Sequence, residues 1–287
     1  MLIIKNIKSI NSKINSLKRS GRSIGFVPTM GALHEGHLSI MRRARRQNDI
    51  VVVSVFVNPK QFGLNEDFAR YPRQEKKDHL LAKKEKVDII FYPSIEEIYP
   101  TRYLTYINVE GISRILCGHD RPVHFKGVTT IVGKLLNLVR PDNLYLGQKD
   151  AQQVIVLRKM IVDLNFPVKV RVCPIVREPD GLALSSRNKY LTNQQRLESP
   201  VLFQALKKAK IKALKENVSV KGVLNLMKSN ITKNSSGSID YIACVDADSL
   251  VPLDVIKGRV MIALAVKFGK TRLIDNIVFR KDDGKKK

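Results

Sequence analysis

Two histidines three residues apart, His34 and His37, stand in the segment IGFVPTMGALHEGHLSIM at residues 24–41. At that spacing they share one face of a helix's first turn, where imidazoles can donate hydrogen bonds or protons to an anion. Ile24–Val27 reads as an apolar strand ended by Pro28. The apolar positions Leu33, Leu38, Ile40 and Met41 read as a helix that begins near Glu35 or Gly36. Such a helix start leaves backbone N–H groups and the positive end of the dipole facing the loop, which suits a phosphate. Gly31 and Gly36, without side chains, would let a nucleotide approach that backbone. Plainer readings compete: a zinc pair, or ordinary polar residues at a helix start. The spacing is not the i, i+4 of HExxH, and no Cys or His pair follows at finger spacing.

A second constellation lies at Gly147, Gln148, Lys149 and Asp150, between an apolar strand at Asn143–Leu146 and a long helix at Ala151–Leu164. Asp150 alone could be a helix N-cap. Beside Lys149 it gains a sharper reading: an ammonium for phosphates and a carboxylate for ribose hydroxyls, with Gln153 one turn on. Ser185, Ser186 and Arg187 form a hydroxyl and guanidinium cluster suited to phosphate oxygens. Asn58 and Gln61 follow the apolar run Asp49–Val57, where amides can hold a polar ligand or simply cap a loop. Cys117, His119 and His124 imitate a metal cluster, but nothing completes a tetrahedral set.

The elements that must position these groups read as an α/β chain. Strand, helix and strand over residues 24–57 make a right-handed βαβ unit whose strands open at their carboxyl ends onto one crevice. An amphipathic helix with Ile7, Ile10, Ile14 and Leu17 precedes it, entered from a short strand at Leu2–Ile4. It is acid-poor, as transit peptides are, yet it leads directly into the first strand and reads as a core-covering helix. A charged helical stretch at Asp67–Lys84, a strand at Val87–Tyr92, an apolar helix at Val128–Val139 and a strand at Lys169–Val176 follow. We place a Rossmann-like parallel-sheet N-terminal domain at 1–176 and a smaller α+β C-terminal domain at 177–287. The latter holds a Lys-rich helix at Asn193–Glu216, another at Val220–Lys228, and strands at Ile239–Val245, Arg259–Phe268 and Leu273–Phe279. The tail Lys281–Lys287 is charged and expected to be disordered.

Composition narrows the classes. No apolar run approaches the ~18 residues needed to cross a bilayer, and the N-terminus lacks a signal-peptide core, so a cytoplasmic chain without a membrane partner is expected. The three cysteines, Cys117, Cys173 and Cys244, are far apart and read as reduced, buried thiols. A net charge of +25 could draw nucleic acid. The lysines, however, are scattered and not interleaved with aromatics, which argues against a specific nucleic-acid partner.

Five segments, PTMGALHEGH at 28–37, VNPKQF at 57–62, RPVHFKGV at 121–128, GQKDAQQ at 147–153 and LSSRN at 184–188, occur in this order along the chain. Together they resemble the pantothenate synthetases (pantoate–β-alanine ligases), a family of HxGH nucleotidyltransferases. A lone HxGH is shared by many nucleotidyltransferases; five motifs in order are specific. The resemblance implies an ATP-dependent, two-step ligation: pantoate attacks the α-phosphorus to give pantoyl adenylate and pyrophosphate, and β-alanine then displaces AMP. It also implies that Met30, Gly31, Ala32, Leu33, His34, Glu35, Gly36 and His37 line the ATP site, with His37 as proton donor. Gly147, Gln148 and Asp150 would hold the nucleoside end, and Val176 would meet adenine through its backbone. Lys149 would take the phosphates, and Leu184, Ser185, Ser186 and Arg187 the triphosphate. His34, His37, Lys149 and Arg187 are thus the implied catalytic set. Gln61 and Gln153 match pantoate-binding glutamines, Gln61 also serving β-alanine, with Asn58, Arg121 and His124 as further substrate positions. Mg²⁺ would arrive with the nucleotide, with no dedicated metal site, and the family implies a homodimer and a C-terminal lid. The high charge and the looser match of the C-terminal third depart from the pattern. A rival nucleotidyltransferase acting on a phosphate ester would need a second phosphate site, whereas Gln61 and Gln153 are neutral. A class I aminoacyl-tRNA synthetase would need a KMSKS-like loop and an anticodon-binding domain.

Overall fold

A computed structural model describes residues 1–64 and 66–282. These residues form two compact units, Met1–Gln148 with Val156–Pro174, and Lys149–Ile155 with Ile175 onward. The last crossing between the units falls between Pro174 and Ile175. The segment Lys149–Ile155, however, groups with the second unit.

In chain order the parallel-sheet region comprises β1 (Leu2–Ile4), α1 (Ile7–Arg19), β2 (Ile24–Thr29), α2 (Glu35–Gln47), β3 (Ile50–Val55), α3 (Glu75–Lys84) and β4 (Ile89–Phe91). Short helices α4 (Ile95–Ile98) and α5 (Cys117–Asp120) lead to α6 (His124–Val139), β5 (Asn143–Gly147), α7 (Ala151–Asp163) and β6 (Lys169–Cys173). The six strands are all parallel, in the order β1-β4-β3-β2-β5-β6. The chain steps outward from β2 through β3 and β4 on one side, and from β5 to β6 on the other. β2 and β5 are therefore the switch point, where ligands of open α/β sheets bind.

The packing explains the strand pattern. β3 is buried from its second residue on because parallel strands are covered on both faces. On one face Val27, Val51, Val53, Val55 and Ile90 pack with Leu38, Met41 and Ala44 of α2 and Ala82 of α3. Elsewhere in this unit Ile10 and Ile14 of α1 are fully buried, each contributing about 1.5–3 kcal/mol. Three expectations change. Residues 67–74 form a turn and irregular chain rather than helix, because Pro72 interrupts the ladder and α3 begins only at Glu75. α6 starts at His124, so Gly127 lies inside the helix. β6 stops at Cys173, before Pro174, which leaves Val176 in a loop.

The second unit contains α8 (Asn193–Glu198), α9 (Val201–Ala213), α10 (Val220–Asn234) and the antiparallel sheet β7 (Ser238–Asp246), β8 (Gly258–Phe268), β9 (Thr271–Lys281). Alternate β8 residues Val260, Ile262, Leu264, Val266 and Phe268 cluster with Leu202, Ala205 and Leu206 of α9 and Val223, Met227 and Ile231 of α10. The single helix expected at 193–216 is broken at Ser199–Pro200, since proline lacks the N–H a continuous helix needs. Lys281 closes β9, and the rest of the tail, at 283–287, lies outside the described residues.

Candidate active site

The loop between β2 and α2 is held in an uncommon backbone conformation. Gly31 (φ 80°) and Ala32 (φ 50°) are consecutive left-handed residues, and for alanine that conformation costs roughly 1–2 kcal/mol. The amides of this loop, expected to face a phosphate, are instead bonded within the protein. Gly31 N–H donates to Thr29 Oγ1 (3.2 Å), Ala32 N–H to Asp78 Oδ2 (3.0 Å) and Leu33 N–H to Asp78 Oδ1 (2.8 Å). Gly36 N–H donates to His34 Nδ1 (3.2 Å), and His37 N–H to the His34 carbonyl (2.8 Å).

The two histidines cap α2 reciprocally. His34 is the N-cap and accepts from Gly36, while His37 at the third helical position accepts from His34 N–H through Nδ1 (3.4 Å). Their ring centroids are 4.1 Å apart. With both Nδ1 atoms accepting, each ring carries its proton on Nε2, so Nε2–H is the donor that each can offer an anion. The helix start thus supplies side-chain donors and its dipole rather than loop amides.

Gln61 ends a 3₁₀ turn, Pro59–Gln61, and is largely buried. Tyr99 O–H donates to Asn58 Oδ1 (2.8 Å), Asn58 Nδ2 donates to Gln61 Oε1 (3.1 Å) and to the Gly127 carbonyl (3.0 Å), and Gln61 Nε2 points to Met30 Sδ (3.0 Å). This chain fixes which end of the Gln61 amide is the donor. Asn58, expected at the substrate, is buried with its amide committed to protein partners. Arg121 Nε bonds both Glu66 oxygens at 3.0 Å, and His124 Nδ1 lies 3.0 Å from the Gln61 carbonyl. Arg121 Nη2 also reaches the Gln61 carbonyl at 3.5 Å, so both side chains contact the Gln61 turn. Gly127 permits this packing: a Cβ there would lie 2.5 Å from Gln61 Cα and closer still to the Lys60 carbonyl. Gly127→Ala is expected to destabilise by about 1–3 kcal/mol through overpacking, read as a lower denaturant midpoint.

In the second unit, Lys149 and Asp150 occupy a 3₁₀ turn, Gln148–Asp150, and Lys149 Nζ is 3.8 Å from Asp150 Oδ1. The Lys149 carbonyl accepts from Asn276 Nδ2 of β9 (3.1 Å). Beside it, Arg177 lies 3.8 Å over the Phe203 ring and pairs with the buried Asp275 at 2.6 and 2.9 Å, and Asp275 also accepts from Asn276 N–H (2.8 Å). Gln153 is half-buried in the first turn of α7. The Val176 carbonyl accepts from Leu184 N–H (3.0 Å), which joins two segments expected at the nucleotide. Ser185 Oγ accepts from Arg187 N–H (3.3 Å) and caps the turn Ser186–Tyr190.

Sequence reasoning missed Asp78, Glu66, Tyr99 and the Arg177–Asp275–Asn276 group. Asp275–Asn276 left a readable signal, a polar pair inside the apolar run Leu273–Phe279 of β9. Asp78 left none, being one acid among the lysines of α3 and 46 residues from its partner Ala32. Among the described residues no three His, Cys, Asp or Glu side chains gather as a metal cluster, and no helix is long and apolar enough to cross a membrane.

The profile of the family described as Pantoate-beta-alanine ligase matches residues 2–278. The pantothenate synthetase of Moorella thermoacetica is 52% identical over 285 residues, covering 99% of this chain and 100% of that protein. That of Acetivibrio thermocellus is 51% identical over 278 residues, covering 97% and 99%. Among solved structures, pantothenate synthetase from Thermus thermophilus superposes with a TM-score of 0.91 at 42% identity, covering 96% of this chain and 99% of that one. Pantoate-beta-alanine ligase from Francisella tularensis, complexed with beta-gamma ATP and beta-alanine, gives 0.80 at 39% identity, with 97% of each chain covered.

Proposed function

This chain belongs to the pantoate-beta-alanine ligase family, and from that premise we propose how its residues divide the work of joining pantoate to β-alanine. The enzyme is an ATP-dependent ligase. Its substrate carboxylate is already ionised at neutral pH, so the first step needs positioning and charge stabilisation more than a base. A pantoate oxygen bonds to the α-phosphorus of MgATP, the bond to the β-phosphate oxygen breaks, and pyrophosphate leaves. The Nε2–H groups of His34 and His37 donate to the phosphate oxygens as charge builds, and Lys149 and Arg187 supply fixed positive charge. Gln61, its amide oriented through Asn58 and Tyr99, and Gln153 hold the neutral hydroxyls of pantoate. In the second step the β-alanine nitrogen, as the neutral amine after its ammonium has lost a proton to solvent, attacks the acyl carbon, the acyl C–O bond to AMP breaks, and AMP departs as the amide nitrogen gives up its second proton to solvent.

The observation that carries this reading is the reciprocal capping of the two histidines, which assigns an Nε2 proton to both rings at one helix start. Mg²⁺ enters with the nucleotide. We place the enzyme in the cytoplasm as a homodimer, with the C-terminal unit as a lid. Mass detection of pantothenate and AMP from pantoate, β-alanine and MgATP tests the reaction. Pantoate labelled with ¹⁸O in its carboxylate is expected to pass one label to AMP; AMP without label would rule out the acyl adenylate.

A further inference from the structure

Asp78 of α3 is fully buried against the Met30–Leu33 loop and accepts from two successive loop amides, at 3.0 and 2.8 Å. Those are the amides of Ala32 and Leu33, the residues immediately before His34. A carboxylate with two separately directed oxygens can take both N–H groups at once, which a hydroxyl or an amide oxygen cannot do in the same geometry. The loop is built to admit it: a Cβ on Gly31, whose φ is 80°, would stand 2.8 Å from Asp78 Oδ2. Burial is the largest influence on this carboxyl and pushes its pKa up, while the two amide bonds and the charges of His79 and Lys77 oppose it without cancelling it. The partners that partly offset the burial of this carboxylate are the two loop amides themselves.

We propose that Asp78 is a positioning residue for the reaction: by gripping the Ala32 and Leu33 amides it holds the left-handed turn that sets where the His34–His37 pair stands. This rests on the functional reading above and adds a residue of α3 to it. The grip also explains why the loop offers side-chain rather than backbone donors, since its amides are already turned inward. Losing it frees the turn to relax to ordinary backbone angles and moves the N-cap histidine with it.

Asp78→Asn preserves shape but leaves one acceptor for two amides. Removing a hydrogen bond to a charged group at this point is expected to raise the KM for ATP about tenfold or more, while the KM values for pantoate and β-alanine stay within about twofold. Gly31→Ala, which presses on the same carboxylate from the loop side, is expected to show the same split, and it carries the test should Asp78→Asn fail to fold. A purely structural role would lower the melting temperature without this split. An ATP KM within about twofold of wild type in a folded variant, or an equal rise for all three substrates, would overturn the proposal. Wild-type protein that forms no pantothenate would overturn the functional reading and this inference together. An active wild type with an unsplit variant overturns the inference alone.

Discussion

His37→Ala is expected to slow adenylate formation by about 10²–10³ in single-turnover assays, equivalent to about 2.7–4 kcal/mol, the scale of losing one preorganised donor at a developing oxyanion. The ring's own bonds give the reason. Nδ1 accepts from His34 N–H, so the proton offered to phosphate lies on Nε2. Glutamine can place an N–H near the Nε2 position, whereas alanine cannot, so His37→Gln should recover part of the loss. The reciprocal half of the cap, His37 Nδ1 accepting from His34 N–H, is also lost in the alanine variant, at up to about 1 kcal/mol of stability, so melting curves must accompany the kinetics. Adenylation by folded His37→Ala at the wild-type rate would remove this residue from the mechanism.

Lys149→Ala is expected to lower kcat/KM for ATP by about 10²–10³, by the same reasoning about fixed charge facing a developing one. The ammonium has Asp150 Oδ1 at 3.8 Å, a distance at which it remains able to serve an anion. Its main chain is tied to β9 through Asn276, which fixes the base of a long and otherwise mobile side chain. Lys149→Arg should not restore the rate, because a planar fork does not reproduce a compact point charge. Steady-state kinetics with ATP varied at saturating pantoate and β-alanine give the comparison. A kcat/KM that stays within about threefold of wild type would exclude Lys149 from phosphate stabilisation.

Much of the sheet is readable because its signals are local. The β-branched run of β3 can be buried on both faces only in a covered parallel sheet, and Pro28 followed by a periodic apolar stripe marks the turn into α2. Expectation and structure part where one residue overrides a longer pattern. Pro72 and Pro200 each cut a stretch whose composition favours helix, and Gly127 reads as a loop residue although it sits where α6 packs against the Pro59–Gln61 turn.

The sequence by itself determined the strand and helix order, the histidine spacing at a helix start and the family to which five ordered motifs point. Only the tertiary structure decided how those residues are used. It turned the Ala32 and Leu33 amides inward to Asp78, bonded Asn58 to Gln61 and Gly127 and Arg121 to Glu66, and tied Lys149 to Asn276. The physical reason is range. Periodicity and capping act over a few residues and leave their mark in the order of the letters. A buried carboxylate that satisfies amides 45 and 46 positions away is specified by packing and desolvation, which no short stretch of sequence carries.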